Sequence, residues 1–139
     1  MREILFKTKR EDTGEWVGCI CTVTNERIYI AGIYPLGDEP SISGQFHDIR
    51  PETICQYTGL TDKNNRQIWE NDICKISTVL IDEEDGFFVV KWDNDGARFA
   101  LEGNGLTVDF DIVYGTDCEV IGNIFDNPEL IKGEDDDEK

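Results

Sequence analysis

Alternating apolar and polar positions are the dominant pattern of the chain, and they predict β-strands. The clearest alternation covers residues 106–112, whose apolar side chains all fall on one face of an extended segment. Residues 87–92 are apolar on both faces and therefore predict a central strand. Four further segments have a similar character, and they predict strands at 17–23, 28–34, 73–81 and 119–125.

Turn residues separate these predicted strands. The segments 82–86 and 93–96 each end in Asp-Gly between apolar runs, which is a strong signal for a β-hairpin. Residues 35–47 contain two prolines and two glycines and are predicted to form a loop. A sustained helical period is absent, so helix is expected only as short turns at Pro51–Ile54 and Pro128–Ile131. Short strands at this spacing predict a small barrel or sandwich.

The most informative feature of the composition is its charge. The 139 residues include 30 acidic and 13 basic side chains, which gives a formal net charge of −17. An apolar content of 39% is too high for wholesale disorder. The apolar runs fall short of the roughly 20 residues that span a bilayer, and the first residues have no secretory character. We therefore expect a cytoplasmic protein that does not contact a membrane.

The acidic residues are concentrated in the second half of the chain. Residues 1–81 hold 12 acids and 9 bases, whereas residues 82–139 hold 18 acids and 4 bases. Proteins bind nucleic acids through lysines and arginines that neutralise phosphates, so direct nucleic-acid binding is not expected. A basic protein partner is compatible with this charge. Residues 132–139 are acidic and have almost nothing apolar to bury, so a disordered tail is expected there.

Cysteine and histidine are too sparse to indicate a metal or catalytic centre. The chain has five cysteines, an odd number, and a single histidine, His47. Cys19 and Cys21 are separated by one residue, which is less than the usual spacer of zinc sites. Asp48 would point away from His47 on an extended chain, so the two could not form a catalytic relay. We expect the cysteines to be buried and reduced, and we expect no cofactor.

Other motifs of catalysis are missing from the sequence. The acidic segments at 82–86 and 93–96 lack the ligand spacing of a calcium-binding loop. No phosphate-binding loop or nucleophile elbow is present. The protein is therefore expected not to be an enzyme. A metal-dependent enzyme, in which carboxylates or Cys and His47 converge only in the folded chain, is left open as a further alternative.

The most informative stretch lies between residues 53 and 75. It contains the strings Gln56-Tyr57-Thr58-Gly59-Leu60-Thr61-Asp62-Lys63 and Ile68-Trp69-Glu70-Asn71-Asp72-Ile73. This stretch resembles the central motif of the YopX family of phage and prophage proteins. Residues 1–7 and 119–130 resemble that family's opening and closing strands. The resemblance therefore covers about half of the chain, in the right order.

The resemblance implies an SH3-like small β-barrel in the second half of the chain. We therefore expect a mainly β protein with an N-terminal β segment and loop at 1–48, the barrel at 49–131 and the acidic tail at 132–139. Asn65 and Asn71 stand where the family motif has glycine. Both are predicted to have positive φ, because asparagine is the residue that next best tolerates the left-handed region.

Two interpretations of the motif are open. In the structural interpretation, the motif makes tight turns through Gly59, Asn65, Asn71 and Asp72, with the aspartate accepting backbone N–H groups. In the functional interpretation, it forms a binding surface from Gln56, Tyr57, Thr58 and Asp62.

The resemblance implies no enzymatic activity. The expected function is that of a phage or prophage accessory protein, a non-enzymatic β interaction module for an unidentified phage or host protein. The alternative is an acidic decoy whose carboxylates imitate phosphates and bind a basic nucleic-acid-binding protein, and a stripe of carboxylates would favour it. An aromatic content of 10% is high for one small barrel, so we also expect a homo-oligomer.

Overall fold

The computed structural model describes residues 5–23, 29–40, 46–76, 87–103, 106–110 and 118–131. Ten strands lie within these residues: β1 Phe6–Arg10, β2 Trp16–Val23, β3 Tyr29–Tyr34, β4 Phe46–Thr61, β5 Gln67–Trp69, β6 Asp72–Ile76, β7 Phe87–Asp93, β8 Arg98–Gly103, β9 Leu106–Asp109 and β10 Cys118–Asn123. The prediction of a mainly β protein is confirmed. The predicted hairpin at 82–86 and the predicted tail at 132–139 lie outside the described residues.

The chain divides into two compact units, residues 1–57 and 58–139. This division and the one predicted after residue 48 both fall within β4. In the first unit, β1 pairs with β2, β2 with β3, and β3 with the start of β4. A later part of β4 pairs with β1. Because all these pairings are antiparallel, the ends of β1 and β3 and the starts of β2 and β4 lie at one end of this unit.

The first unit has a small apolar core with a polar pair beside it. Cys19 and Ile49 are buried, and partly buried apolar side chains pack against them, namely Phe6, Ile33 and Ile54. The hydroxyl oxygens of Thr8 and Thr53 are both buried and lie 3.0 Å apart. Each hydroxyl thus has a hydrogen-bond partner, as burial requires.

The structure contradicts the helical turn predicted at Pro51–Ile54, because this segment belongs to β4. The pairing of β1 with β4 is irregular there: Lys7 faces Cys55, whereas Lys9 faces Arg50. Residues 51–54 therefore form a bulge, and bulges are among the places where a sheet accepts a proline without a ladder N–H.

Threonine hydroxyls replace the backbone bonds that the bulge loses. The Thr53 hydroxyl donates to the Arg50 carbonyl oxygen at 2.6 Å and accepts the Lys9 backbone N–H at 2.9 Å. The Thr8 hydroxyl contacts the same Arg50 carbonyl at 3.3 Å. The segment can therefore stay extended without leaving buried polar groups unpaired.

The second unit contains a five-stranded antiparallel sheet in the order β10-β6-β7-β8-β9. β7 is central, as its two apolar faces predicted. The last strand returns to pair with β6, but the sheet does not close into a barrel within the described residues. Its core is formed by buried side chains, namely Ile68, Cys74, Ile76, Phe88, Val90, Leu101, Val108 and Cys118.

Local details of the second unit agree with the alternation of the sequence. On β9, Val108 is buried whereas Thr107 is exposed. The predicted hairpin at 93–96 joins β7 to β8, and its left-handed residue is Ala97, with a φ of 53°. The predicted helical turn at Pro128–Ile131 is confirmed by the bond from the Ile131 N–H to the Pro128 carbonyl. No helix among the described residues is long and apolar enough to cross a membrane.

The predicted burial is confirmed for four cysteines, none of which is in a disulfide. They are Cys19, Cys55, Cys74 and Cys118. The side chain of Cys21 lies outside the described part of the chain. A hydrogen bond with Cys118, together with burial, raises the pKa of the Cys74 thiol. The thiol therefore stays protonated, which makes it a poor nucleophile and metal ligand.

Replacement of Thr53 by valine tests the hydroxyl pair. Valine keeps the shape but removes the acceptor of the Lys9 N–H and the donor to the Arg50 carbonyl, so the free energy of unfolding should fall by about 2 kcal/mol. Urea unfolding followed by circular dichroism measures the change. The control is Thr107→Val, which makes the same substitution at an exposed position. Equal stabilities of the two variants would contradict the role given to Thr53.

Candidate functional site

The YopX-like motif forms a turn that is organised by Asp62. The carboxylate oxygen Oδ1 accepts the backbone N–H groups of Asn64 at 2.8 Å and Arg66 at 2.9 Å. The other oxygen, Oδ2, accepts the N–H of Val120 in β10 at 2.9 Å. The side chain of Asp62 is buried. Both oxygens thus serve the fold of the second unit.

The pKa of Asp62 is set by the groups that surround its carboxylate. Burial alone raises the pKa of a carboxyl group, and for Asp62 it is the largest single influence. The three N–H donors and the charge of Arg66 favour the carboxylate and together outweigh burial, so the pKa of Asp62 lies below its ordinary value. The carboxylate is therefore the form that stabilises the folded unit.

Two asparagines of the motif have the predicted backbone conformation. The φ angles of Asn65 and Asn71 are 67° and 73°, which confirms that both are left-handed. Gly59 also has a positive φ, of 90°. At the bend before β6, the Asp72 carboxylate accepts the N–H of Trp69 at 2.8 Å. These contacts are those expected from the structural interpretation of the motif.

Asn71 also joins three parts of the second unit. Its N–H donates to the carbonyl of Val90 at 2.8 Å, and its carbonyl accepts the N–H of Ile124 at 3.1 Å. Its side-chain oxygen accepts a bond from the ammonium of Lys91 at 3.1 Å. Asparagine therefore adds a side-chain contact that the glycine of the family motif cannot make.

The residues predicted to form a binding surface have varied surroundings. Tyr57 is buried in the first unit, and Gln56 is half-buried there. The Thr58 hydroxyl donates to the carbonyl of Ile68 at 2.7 Å in the second unit. Together with the buried Asp62, all four of these residues are buried or half-buried, whereas residues 59–61 and 63–67 of the motif are exposed.

The turn at 62–66 covers the outer edge of β10. The N–H of Lys63 donates to the carbonyl of Cys118, and the guanidinium of Arg66 donates to the carbonyl of Val120, both at 3.0 Å. The ammonium of Lys63 lies 3.5 Å from the carboxylate of Glu119. This edge of the sheet is thereby closed to pairing with another strand.

A groove of about 500 Å³ lies where the ends of β1 and β3 meet the starts of β2 and β4. It belongs to the first unit, and we call it the mouth groove. Apolar, aromatic and polar side chains line it, namely Arg10, Glu15, Trp16, Val17, Ile33, Tyr34, Pro35, Leu36 and His47. Such a mixture is typical of binding sites.

Two aromatic side chains shape the mouth groove. Tyr34 lies directly over Gly18 in the neighbouring strand, and a Cβ at residue 18 would overlap with its ring. Trp16 is half-buried, and the ammonium groups of Lys7 and Lys9 lie 4.5 Å and 5.2 Å from its ring centroid. The indole therefore already attracts cations of its own chain.

The polar rim is organised around Arg10. Its guanidinium forms two bonds to the Asp12 carboxylate, at 3.0 Å and 2.7 Å, and these lower the pKa of Asp12 and raise that of Arg10. The same guanidinium lies 3.3 Å from Nδ1 of His47. Arginine cannot accept a hydrogen bond, so Nδ1 is the acceptor, and the neutral ring carries its proton on Nε2.

A second depression, of about 310 Å³, shares His47 with the groove and is lined by Glu11, Asp12, His47 and Asp48. The charged residues around both depressions are one cation and four anions, Arg10 against Glu11, Asp12, Glu15 and Asp48. Two of these carboxylates are paired with arginines, Glu11 with Arg50 at 3.8 Å and Asp12 with Arg10 at 2.7 Å. Since the ammonium groups of Lys7 and Lys9 also lie against Trp16, this end of the unit carries charges of both signs. Among the described residues, no three His, Cys, Asp or Glu side chains are placed to hold a metal ion.

Sequence reasoning did not predict the mouth groove. Arg10, Trp16, Tyr34 and His47 stand far apart along the chain and form no motif. The available signal was that Trp16 and Tyr34 flank predicted strands and that His47 lies in the predicted loop at 35–47, whereas Arg10 lay in no predicted element. That signal becomes specific only when the strand order is known.

Comparisons with known proteins support the fold and the motif. The family model described as YopX protein matches residues 15–132. The crystal structure of protein EF1440 from Enterococcus faecalis is similar to this chain, with a TM-score of 0.62 and 21% sequence identity over 94% of this chain and 99% of that one. This identity supports a likeness of fold alone. No curated protein matches the chain.

Asp62→Asn tests the carboxylate at the centre of the turn. The amide has only one acceptor oxygen, so the free energy of unfolding at neutral pH should fall by about 2 kcal/mol. Because the pKa of Asp62 is lower in the folded than in the unfolded chain, its contribution is present above about pH 4 and is lost as the pH falls through the folded value. The difference between variant and wild type should therefore shrink in acid.

Denaturant unfolding at a series of pH values measures this difference. Asp95→Asn, at an exposed position in the β7–β8 loop, is the control and should leave stability nearly unchanged. A difference between Asp62→Asn and wild type that stays constant from neutral pH to pH 3 would refute the stabilising role of the carboxylate.

The left-handed conformation of Asn65 gives a second prediction. Asn65→Ala should lower the free energy of unfolding by about 1 kcal/mol, because alanine resists positive φ, whereas Asn65→Gly should change it by less than about half of that. Asn64→Ala is the matched control, since Asn64 precedes it in the same turn without positive φ. Thermal unfolding compares the three variants, and a cost for alanine no greater at 65 than at 64 would contradict the explanation.

Proposed function

The chain belongs to the YopX family, and from this premise we propose that it is a phage or prophage accessory protein acting as a non-enzymatic interaction module. The phage origin is supported by the resemblance of its motif to that of phage and prophage proteins. The mouth groove is the observation that carries the rest of the proposal, because it combines aromatic walls with a polar rim in a volume of about 500 Å³. We infer that a partner protein binds there.

The composition of the groove supports binding rather than catalysis. Its lining contains no serine, cysteine, threonine or lysine that could act as a nucleophile. Nδ1 of His47 faces the guanidinium of Arg10. In a catalytic relay, by contrast, a carboxylate orients the histidine that acts as a base. Aromatic side chains such as Trp16 and Tyr34 are, by contrast, the residues that most often anchor protein partners.

The second unit is, in this proposal, an open variant of an SH3-like barrel. Support comes from its strand order, in which four consecutive strands form a meander and the last strand, β10, returns to pair with the first, β6. Homo-oligomerisation, a cytoplasmic location and the lack of direct nucleic-acid binding stay predictions from the sequence.

Site-specific photo-crosslinking tests the groove as the binding site. A photoreactive phenylalanine derivative in place of Leu36, which lines the groove, should capture a protein partner from the bacterial host. The matched control is the same replacement of Leu60, a leucine of the second unit with a similar exposure, 40% against 43% for Leu36. A defined product from position 36 and not from position 60 is expected. No product at 36, or the same products at both positions, would overturn the proposal.

The acidic decoy is the second candidate function. It is favoured by the grouping of Glu11, Asp12 and Asp48 around one depression beside the groove. In that case the captured partner would be a basic nucleic-acid-binding protein, and duplex DNA would compete with capture at position 36. Capture that is insensitive to DNA would favour the interaction module instead.

A further inference from the structure

The contact between His47 and Arg10 depends on the protonation of the histidine ring. Nδ1 of His47 lies 3.3 Å from Nη2 of Arg10. A guanidinium donates hydrogen bonds and accepts none, so Nδ1 must be the acceptor and must carry no proton. The contact therefore exists only while the histidine is neutral.

The charged groups that line the two depressions together with His47 come from β1, the connection between β1 and β2, and β4. They are Arg10, Glu11, Asp12, Glu15 and Asp48. β3, which pairs with His47 through Ala31, contributes the phenol of Tyr34 to the lining and no charged group. A positive charge on the ring would therefore arise directly beside the guanidinium of Arg10.

Arg10 is held in place while the ring becomes charged. Its guanidinium forms two bonds to the Asp12 carboxylate, at 3.0 Å and 2.7 Å. These bonds lower the pKa of Asp12, so this carboxylate stays ionised between about pH 5 and 8, where histidine ordinarily titrates. Protonation of His47 would turn Nδ1 into a donor and place two positive charges 3.3 Å apart. The ring, and not the guanidinium, must then move.

We propose that His47 is a proton-sensitive element of the mouth groove: Arg10 holds its neutral ring, and protonation in mild acid releases the ring from Arg10. His47 lines both the groove and the neighbouring depression. Release of the ring therefore changes the lining of both. The inference concerns the state of the groove and is independent of any partner.

An NMR titration of the full-length protein tests this inference, because His47 is the single histidine of the sequence. At about pH 8 the nitrogen-15 shifts of the imidazole should show a proton on Nε2 and none on Nδ1. As the pH falls to about 5, the ring should become protonated, and the Nε–H signal of Arg10 should shift with the same midpoint. The nuclear Overhauser contact between the His47 ring and the Arg10 side chain should be lost.

His47→Asn is the matched variant for this titration. The side-chain oxygen of asparagine replaces Nδ1 as an acceptor but does not titrate, so the Arg10 signal should stay constant between about pH 8 and 5. Arg66 is the internal control, since its guanidinium donates to the backbone carbonyl of Val120, which does not titrate either. Its signal should stay constant in both proteins, and circular dichroism verifies that the variant is folded.

Three results would each overturn the inference. They are a proton on Nδ1 at about pH 8, an Arg10 signal that stays constant while His47 becomes protonated, and an equal shift of the Arg10 signal in His47→Asn. The titration of the wild-type protein decides the first two by itself, so the inference is tested even when the variant does not fold.

Discussion

The buried carboxylate of Asp62 joins the turn at 62–66 to the final strand of the second unit. A buried charge is unfavourable unless donors surround it, and here the donors come from two places, the turn itself and Val120 of β10. Loss of any one of these bonds would leave the buried charge less well compensated. The same carboxylate therefore links the turn to the final strand, and the turn that contains the left-handed Asn65 is held on both sides.

The alternation of apolar and polar residues predicted most strands correctly, because a strand that buries one face has this pattern. On β9 the buried Val108 and the exposed Thr107 follow directly from the alternation, and positive φ at Asn65 and Asn71 followed from the tolerance of asparagine. The pattern failed over β4, where Pro51 interrupts it. The groups that keep this segment extended, Thr8 and Lys9, lie more than forty residues earlier in the chain, and their influence cannot be read from the local sequence.

The candidate site was the least predictable part of the molecule. Residues that close a turn are neighbours in sequence, so the YopX-like motif is conspicuous in a single chain. A groove between strand ends takes one or two residues from each strand, as with Arg10, Trp16, Tyr34 and His47, and their proximity depends on register. The residues of the motif thus stabilise turns of the fold, whereas the residues that line the groove belong to no motif.

The position of the groove at strand ends has a consequence for how substitutions act on the first unit. The segments 11–15 and 35–40 connect strands at the surface, and substitutions there leave the apolar core of the first unit around Cys19 and Ile49 intact. Loops of this kind tolerate insertion and replacement at small cost in stability. Substitutions in these two connections can therefore change the lining of the groove while the core of the first unit stays as it is.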